Sequence, residues 1–228
     1  FGFAINDEEI DAITRGCPGI MHLDLFGCTV VTDLGIESVV KNLKNLQSLC
    51  IDGCTSLQLQ SLVHIYTHAA DTLRVLHMTS MKTGPTTADF DYHHRLLDKL
   101  FKRCQNIRTL SWDDNDPYGV IYPLPSSIRN VTTLKLGHHA ICDENMETIG
   151  DHCPNITNLS LRLADTVENS VYTNVGLKKL IFGCPLLRLV EISIAGTESV
   201  FPHPFVDLAT DLWRYIRPDL KINDTDTA

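Results

Sequence analysis

The chain has 228 residues, of which 43% are apolar and 21% charged, a composition that supports a folded core of ordinary size. Its 19 Lys and Arg residues against 28 Asp and Glu residues give a formal net charge of −9. Because a negative surface repels a phosphate backbone, nucleic acid is not expected as a partner. No apolar run approaches the roughly 20 residues that cross a bilayer, so a membrane role is not expected either.

A repeated pattern of apolar residues begins near Cys17. The segment CPGIMHLDLFGC aligns with LKNLQSLCIDGC at an offset of 26 residues, which places Leu23 on Leu49 and Cys28 on Cys54. The same frame returns along the chain at Leu76, Leu110, Leu134, Leu159 and Val190, with a worn last copy at Leu220 and Ile222. A repeat of this length is typical of solenoid proteins, in which each copy packs on its neighbours.

Each copy reads as one short strand followed by one helix. Alternation of the L-x-L type points every second side chain into a core, as a strand does. Thr32, Asp33 and Asp143 precede apolar residues at helical spacing and can cap a first helical turn. The helices then reach a Cys-Pro pair that ends them, at Cys17, Cys153 and Cys184. The sequence therefore predicts an α/β solenoid with a curved parallel sheet on the concave side and helices on the convex side.

The pattern C-P-x-(I/L)-x-x-L-x-L-x-x-C followed by V-T-D-x-G-(I/L) resembles the cysteine-containing leucine-rich repeat, most clearly over 17–34 and 141–161. This repeat class is best known from the F-box/leucine-rich-repeat proteins, the substrate receptors of cullin–RING ubiquitin ligases. The resemblance implies a non-catalytic domain that binds a protein substrate, with Skp adaptor and cullin as further partners through an F-box upstream of this chain. The alternative is a structural scaffold or adaptor subunit of a large assembly, with no ligase role.

We predict one leucine-rich-repeat domain over residues 1–228, with about seven to eight repeats and irregular insertions at 79–94 and 113–127. In the second insertion, Pro123 and Pro125 favour an extended segment over a helix. Residues 1–16 align with the helical half of a repeat, so we expect the domain to be N-terminally truncated. The strand at Leu23 would then have an unpaired edge, which proteins normally cover.

Four of the eight cysteines recur in the repeat frame, where small buried apolar groups are expected. Free thiols favour a reducing compartment, and hence a cytoplasmic or nuclear protein. A metal site or disulfide at Cys28, Cys50 and Cys54 is the alternative, but Cys50 should face away from the other two. His64 and His68 share a helix face without a third ligand in reach. We predict neither a metal site nor a cofactor.

Catalysis is not predicted. Cys50 with His22 and Asp24 could form a thiol dyad on the sheet, but nothing in the sequence indicates a lowered thiol pKa. The acids of 113–116 suggest calcium, yet the Gly and Glu that continue a calcium loop are missing.

A partner surface is the function that the pattern favours. Residues that face outward from successive strands include Phe26, Asp52, His77 and Asp113, and the loop after Asp113 carries Tyr118 and Tyr122. We predict that a protein partner docks on these residues of the concave face, because aromatic side chains are favoured interface anchors and acids of one sign suit a basic segment. The plain alternative is a solvated sheet face without a partner.

Overall fold

A computed structural model describes residues 5–79, 87–113, 125, 127–137, 143–164, 173–195, 213–214 and 216–224. The chain divides into two compact units, Phe1–Asn115 and Asp116–Ala228, called unit 1 and unit 2 below. The single domain predicted over residues 1–228 stays a prediction. Among the helices of the described ranges, none combines the length and the apolar character that a bilayer crossing requires.

Unit 1 alternates helices and strands. In chain order they are α1 (Asp7–Gly16), β1 (His22–Asp24), α2 (Asp33–Asn42), β2 (Ser48–Cys50), α3 (Gln60–His68), β3 (Val75–Thr79), α4 (Thr87–Arg103) and β4 (Thr109–Asp113). The strands pair in sequence order and in parallel, with Leu23 opposite Leu49, Leu49 opposite Leu76 and Leu76 opposite Leu110. The ladder that the repeat frame predicted is thus present in this unit.

Unit 2 repeats the arrangement. Its elements are β5 (Thr133–Leu136), α5 (Asp143–His152), β6 (Asn158–Ala164), α6 (Asn174–Gly183), β7 (Leu189–Ala195) and β8 (Lys221–Asp224). Leu134 lies opposite Leu159, Leu159 opposite Val190 and Val190 opposite Ile222, all in parallel register. The worn last copy is therefore a true strand. The predicted α/β leucine-rich-repeat fold is confirmed.

The core lies between the strands and the helices. Leu49 and Leu134 have no exposed surface, whereas the residues on either side of Leu49 are half-buried and Lys135 is exposed. Neighbouring helices pack on one another, α1 on α2, α2 on α3, α3 on α4 and α5 on α6. The other side of each sheet reaches solvent. We call it the open face; in unit 1 it carries the outward residues His22, Asp24, Ser48, Cys50, Val75, His77, Thr109 and Ser111.

A carboxylate at the start of one helix holds the start of the next. Asp7 accepts hydrogen bonds from the backbone nitrogen of Thr32 at 2.8 Å and from its hydroxyl at 2.6 Å. The Thr32 hydroxyl caps α2 by accepting from Leu34, as its position before the helix predicted. Asp143, which was predicted to cap a helix, is the first residue of α5. Its carboxylate accepts hydrogen bonds from the backbone nitrogen and from the hydroxyl of Thr173, each at 2.6 Å. These bonds fix the stacking distance between repeats.

Buried thiols occupy most of the recurring cysteine positions. Cys28, Cys54, Cys104, Cys153 and Cys184 are buried, and all seven cysteines of the described ranges are free. The Cys184 thiol donates toward the carbonyl oxygen of Cys153 at 3.5 Å, a contact from one repeat to the one before. Cys17 differs from the expectation of burial and is exposed, because no described repeat precedes it.

The structure also differs at the first predicted insertion. Residues 80–86 lie outside the described part of the chain, but α4 begins at Thr87, within the segment 79–94 that was predicted to be irregular. Residues 87–92 follow Pro85 and contain neither glycine nor proline, so nothing there prevents a helical start. Of the second insertion, Asp113 ends β4, while 114–124 and 126 lie outside the description.

Candidate functional site

The turns that follow β1 and β2 have the same geometry. Gly27 and Gly53 both adopt a left-handed backbone, with φ of 70° and 71°, which glycine adopts without strain. Gly27 donates its backbone N–H to the carbonyl oxygen of Asp52 at 2.8 Å, so one turn stacks on the next. Phe26 and Asp52 consequently occupy the same position in successive repeats. The Phe26 side chain is 71% exposed, the most exposed large apolar side chain described in this unit.

A shallow hollow of about 380 Å³ lies on the open face of unit 1. It is lined by His22, Leu23, Asp24, Ser48, Cys50 and His77. The register brings these residues together, since Asp24 pairs with Cys50 and Cys50 with His77. His77 Nδ1 lies 3.9 Å from Asp52 Oδ2 at the rim. Asp24 Oδ1 accepts a hydrogen bond from the backbone N–H of Phe26 at 2.9 Å, which holds the carboxylate against the start of the turn.

The charged side chains of this surface are acids and histidines. Asp24 and Asp52 supply acids, His22 and His77 supply imidazoles, and the outward residues of β1 to β4 that the structure describes include neither Lys nor Arg. A partner with basic side chains would therefore meet complementary charge on this face of unit 1.

Three of the six predicted partner-binding residues come together here. Phe26, Asp52 and His77 share the open face and the turns at its edge. Asp113 is placed in β4 opposite Thr79, but its side chain is outside the description. Tyr118 and Tyr122 lie outside the described residues altogether. For all six residues the partner-binding role stays a prediction.

The thiol on this face is poorly suited to nucleophilic chemistry. Burial raises the pKa of Cys50 to about 12, with the Asp52 and Asp24 carboxylates adding to the shift, so the thiol stays protonated at neutral pH. The buried Cys54 thiol donates to the carbonyl oxygen of Leu25 at 3.0 Å, and burial raises its pKa to about 11. In the described ranges no group of three or more His, Cys, Asp or Glu residues is placed to hold a metal ion.

A larger hollow of about 720 Å³ lies on the flank of the first repeat. It is lined by apolar residues of α1 and of the β1 region, Ile5, Ile10, Ala12, Ile13, Leu23, Leu25 and Cys28, with Glu9 and Asp24. Leu23 is only half-buried and Ile13 is 42% exposed. Elsewhere in the unit, the equivalent apolar residues are buried because a neighbouring repeat packs against them. This flank of the first repeat resembles a repeat surface that no described residue covers. The predicted truncation upstream stays a prediction.

Sequence reasoning did not single out the apolar side chains on the outer side of α6. Val175 is 58% exposed and Phe182 is 69% exposed. The available signal was the repeat alignment itself, because the helices of the other repeats carry polar residues at the position of Phe182.

Comparison with known proteins does not assign the chain to a family. No family model matches the chain. Among solved structures, the chain is similar to the crystal structure of the Rad7 and Elc1 complex in yeast, with a TM-score of 0.44 and 13% identity over 97% of this chain and 72% of that chain. It is also similar to the arginine decarboxylase of Paramecium bursaria Chlorella virus bound to agmatine, with a TM-score of 0.25 and 9% identity over 95% and 61% of the two chains. Neither likeness carries a statement about function.

Proposed function

We propose that unit 1 is a protein-binding surface without catalytic activity, which holds a basic segment of a partner on its open face. The observation that carries the proposal is the exposed ring of Phe26. It occupies the position that Asp52 has in the next repeat, and its backbone N–H is bonded to Asp24, which lines the hollow on the open face. The repeat therefore tolerates a charged residue at this place, and folding does not require the aromatic one.

The geometry explains why such a surface would bind well. The stacked glycine turns and the parallel register hold Phe26, Asp52 and His77 on a rigid platform, so little conformational entropy is lost when a partner docks. Burial of an exposed aromatic ring at an interface gives a large apolar contact, and acids around it favour a partner of opposite charge. The partner-binding role of Asp113, Tyr118 and Tyr122, whose side chains lie outside the described part of the chain, rests on the sequence pattern alone.

At a finer level, we propose that the chain is the substrate-recognition part of an SCF-type ubiquitin ligase receptor in the cytoplasm or nucleus. The support is the cysteine-containing repeat pattern, which is similar to that of the F-box/leucine-rich-repeat proteins. Skp adaptor and cullin would then bind through an F-box elsewhere in the protein. A structural scaffold subunit is the second candidate, favoured by the thiol pKa values and the bonded Asp–Thr pairs that suit a rigid, inert solenoid.

The partner surface is tested by binding measurements on the full-length protein with an identified partner. Phe26→Ala should weaken binding by about thirtyfold, as removal of a central aromatic anchor does. Asp52→Lys should weaken it further at low salt by reversing the local charge. Lys41→Glu, an exposed change on α2, is the matched control and should leave binding unchanged. If Lys41→Glu abolishes binding while Phe26→Ala and Asp52→Lys bind normally, the partner uses the helices and the proposed surface is wrong.

The ligase role is tested separately, by co-purification of the full-length protein with the Skp adaptor and cullin. A stoichiometric complex supports the receptor proposal. A protein that binds its partner through Phe26 but associates with neither Skp adaptor nor cullin would instead support the scaffold alternative.

A further inference from the structure

Helix α6 of unit 2 presents large apolar side chains to solvent. Val175 is 58% exposed and Phe182 is 69% exposed, and Leu186, in the turn after the helix, is 48% exposed. The opposite side of α6 is buried and includes Leu177 and Leu180. Because an α-helix advances about 100° per residue, residues 175, 178, 179 and 182 form one outward stripe. The stripe reads Val-Lys-Lys-Phe.

The other repeats show that folding does not call for apolar residues at the positions of Phe182 and Leu186, whereas Val175 is matched by the exposed Leu34 of α2. Phe182 is the last residue but one of α6. The residues at this position in α1 to α5 are Arg15, Lys41, Thr67, Lys102 and Asp151. Leu186 is the third residue after the end of α6. The residues at this position after α1 to α5 are Gly19, Asn45, Asp71, Asn106 and Asn155. Every described counterpart is polar or glycine. An exposed Phe–Leu pair at two positions that are otherwise polar indicates contact with something outside the fold.

The charge around the pair is also exceptional. Helix α6 contains two lysines and no acidic residue, in a chain with a net charge of −9. The corresponding outward stripe of α5 is acidic, with Glu144, Glu147 and Asp151. Lys179 Nζ lies 3.7 Å from Asp151 Oδ1 and is partly neutralised by it. The exposed Arg188 follows Leu186 by two residues and adds a positive charge that earlier repeats also have, at Arg74 and Arg108, so it is the lysines that distinguish α6.

The two sides of the α6 stripe therefore differ. Gly176 and Gly183 mark the side of α6 that faces α5, since they lie against Asp143 and Gly150. Lys179 is on that side, next to Asp151. Helical geometry places Lys178 on the other flank of the stripe, away from the acids of α5. An incoming carboxylate would be attracted to Lys178 and repelled by α5, which gives the surface a preferred orientation for its partner.

We propose that Val175, Lys178, Phe182 and Leu186, the α6 patch, dock an acidic segment of another protein that carries apolar side chains. The apolar side chains of the segment cover Phe182 and Leu186, and its carboxylates lie along Lys178 and Arg188. This surface is separate in residues and opposite in charge from the open face of unit 1, so it does not depend on the function proposed for that face.

The test is site-specific photo-crosslinking of the full-length protein in cells. Phe182→benzoylphenylalanine should crosslink to a protein segment that is rich in Asp and Glu and has apolar residues. Lys41→benzoylphenylalanine, at the matched position of α2, should not capture that segment. The segment is then synthesised and its affinity measured. Phe182→Thr, which gives α6 the residue that α3 carries at this position and adds no charge, should weaken binding about thirtyfold.

Two further variants keep the test independent of folding. Lys178→Glu leaves Phe182 in place and should reduce both the affinity and its salt dependence. Leu34→Lys, at the exposed position of α2 that corresponds to Val175, should bind the segment as tightly as the natural protein. The proposal is overturned if position 182 crosslinks to a second copy of this chain, to lipid or to a segment without net negative charge. It is equally overturned by the absence of any crosslink, or if Phe182→Thr and Lys178→Glu bind the segment normally.

Discussion

Replacing Gly183 with alanine tests how closely α5 and α6 stack in unit 2. A Cβ atom on Gly183 would lie within 3.0 Å of the carbonyl oxygen, carbonyl carbon and Cα of Gly150. These are backbone atoms and cannot rotate out of the way, so the two helices would have to separate by roughly 1 Å. Overpacking of this kind typically costs about 1 to 3 kcal/mol of unfolding free energy.

Gly16 is the matched control, because it precedes Cys17-Pro18 as Gly183 precedes Cys184-Pro185. A Cβ atom on Gly16 would meet nothing within 4 Å. Alanine is favoured over glycine in a helix by up to about 1 kcal/mol, so Gly16→Ala should be neutral or stabilising. The same substitution at the same repeat position should therefore differ by about 1 to 4 kcal/mol between the two sites.

The two tryptophans allow each unit to be followed in urea. Trp112 is buried in unit 1 and Trp213 in unit 2, where its indole N–H donates to the carbonyl oxygen of Leu177 at 3.4 Å. In a Trp112→Phe background, fluorescence of Trp213 should show an earlier unfolding midpoint for Gly183→Ala than for the unsubstituted chain. If Gly183→Ala unfolds at the same urea concentration as its parent, the close approach of α5 and α6 is wrong.

Three more predictions follow from burial. Leu134→Ala should cost about 2 to 5 kcal/mol, while Lys135→Ala should stay within about 0.5 kcal/mol; equal shifts in denaturant melts would contradict the strand alternation. An alkylating reagent at pH 7.5 should label the exposed Cys17 long before Cys50, whose pKa burial raises to about 12; mass spectrometry showing the reverse order would refute this. Burial also raises the pKa of Cys104 from 9.0 to about 12, so the stability that this thiol contributes is present below pH 9 and lost as the pH rises toward 12. The urea midpoint should therefore decline between about pH 9 and 11, and Cys104→Ala should make that decline less steep. An equally steep decline in Cys104→Ala would show that another group causes it.

The partner surface was only partly accessible from the sequence. The repeat frame placed Phe26, Asp52 and His77 on the outward side of the strands, because the strand period and the glycine turn recur in each copy. The 3.9 Å approach of His77 to Asp52 and the hollow lined by Asp24, Cys50 and His77 depend on side-chain positions across three strands, and no local pattern encodes them. The repeat alignment marks Phe182 as unusual among polar counterparts, but its 69% exposure depends on how α6 packs in the fold.

What the sequence determined by itself is the parallel ladder and the alternation of strand and helix. The spacing of apolar residues is a local property, and a one-residue slip between repeats would turn each buried leucine to solvent, so the register from Leu23 to Leu110 and from Leu134 to Val190 followed directly. The pairing of Ile222 with Val190 came from the structure. The tertiary structure alone decided which equivalent residues are buried. Cys17 and Cys184 occupy the same place in their repeats, yet Cys17 is exposed and Cys184 is not, because burial depends on whether a neighbouring repeat packs against that side.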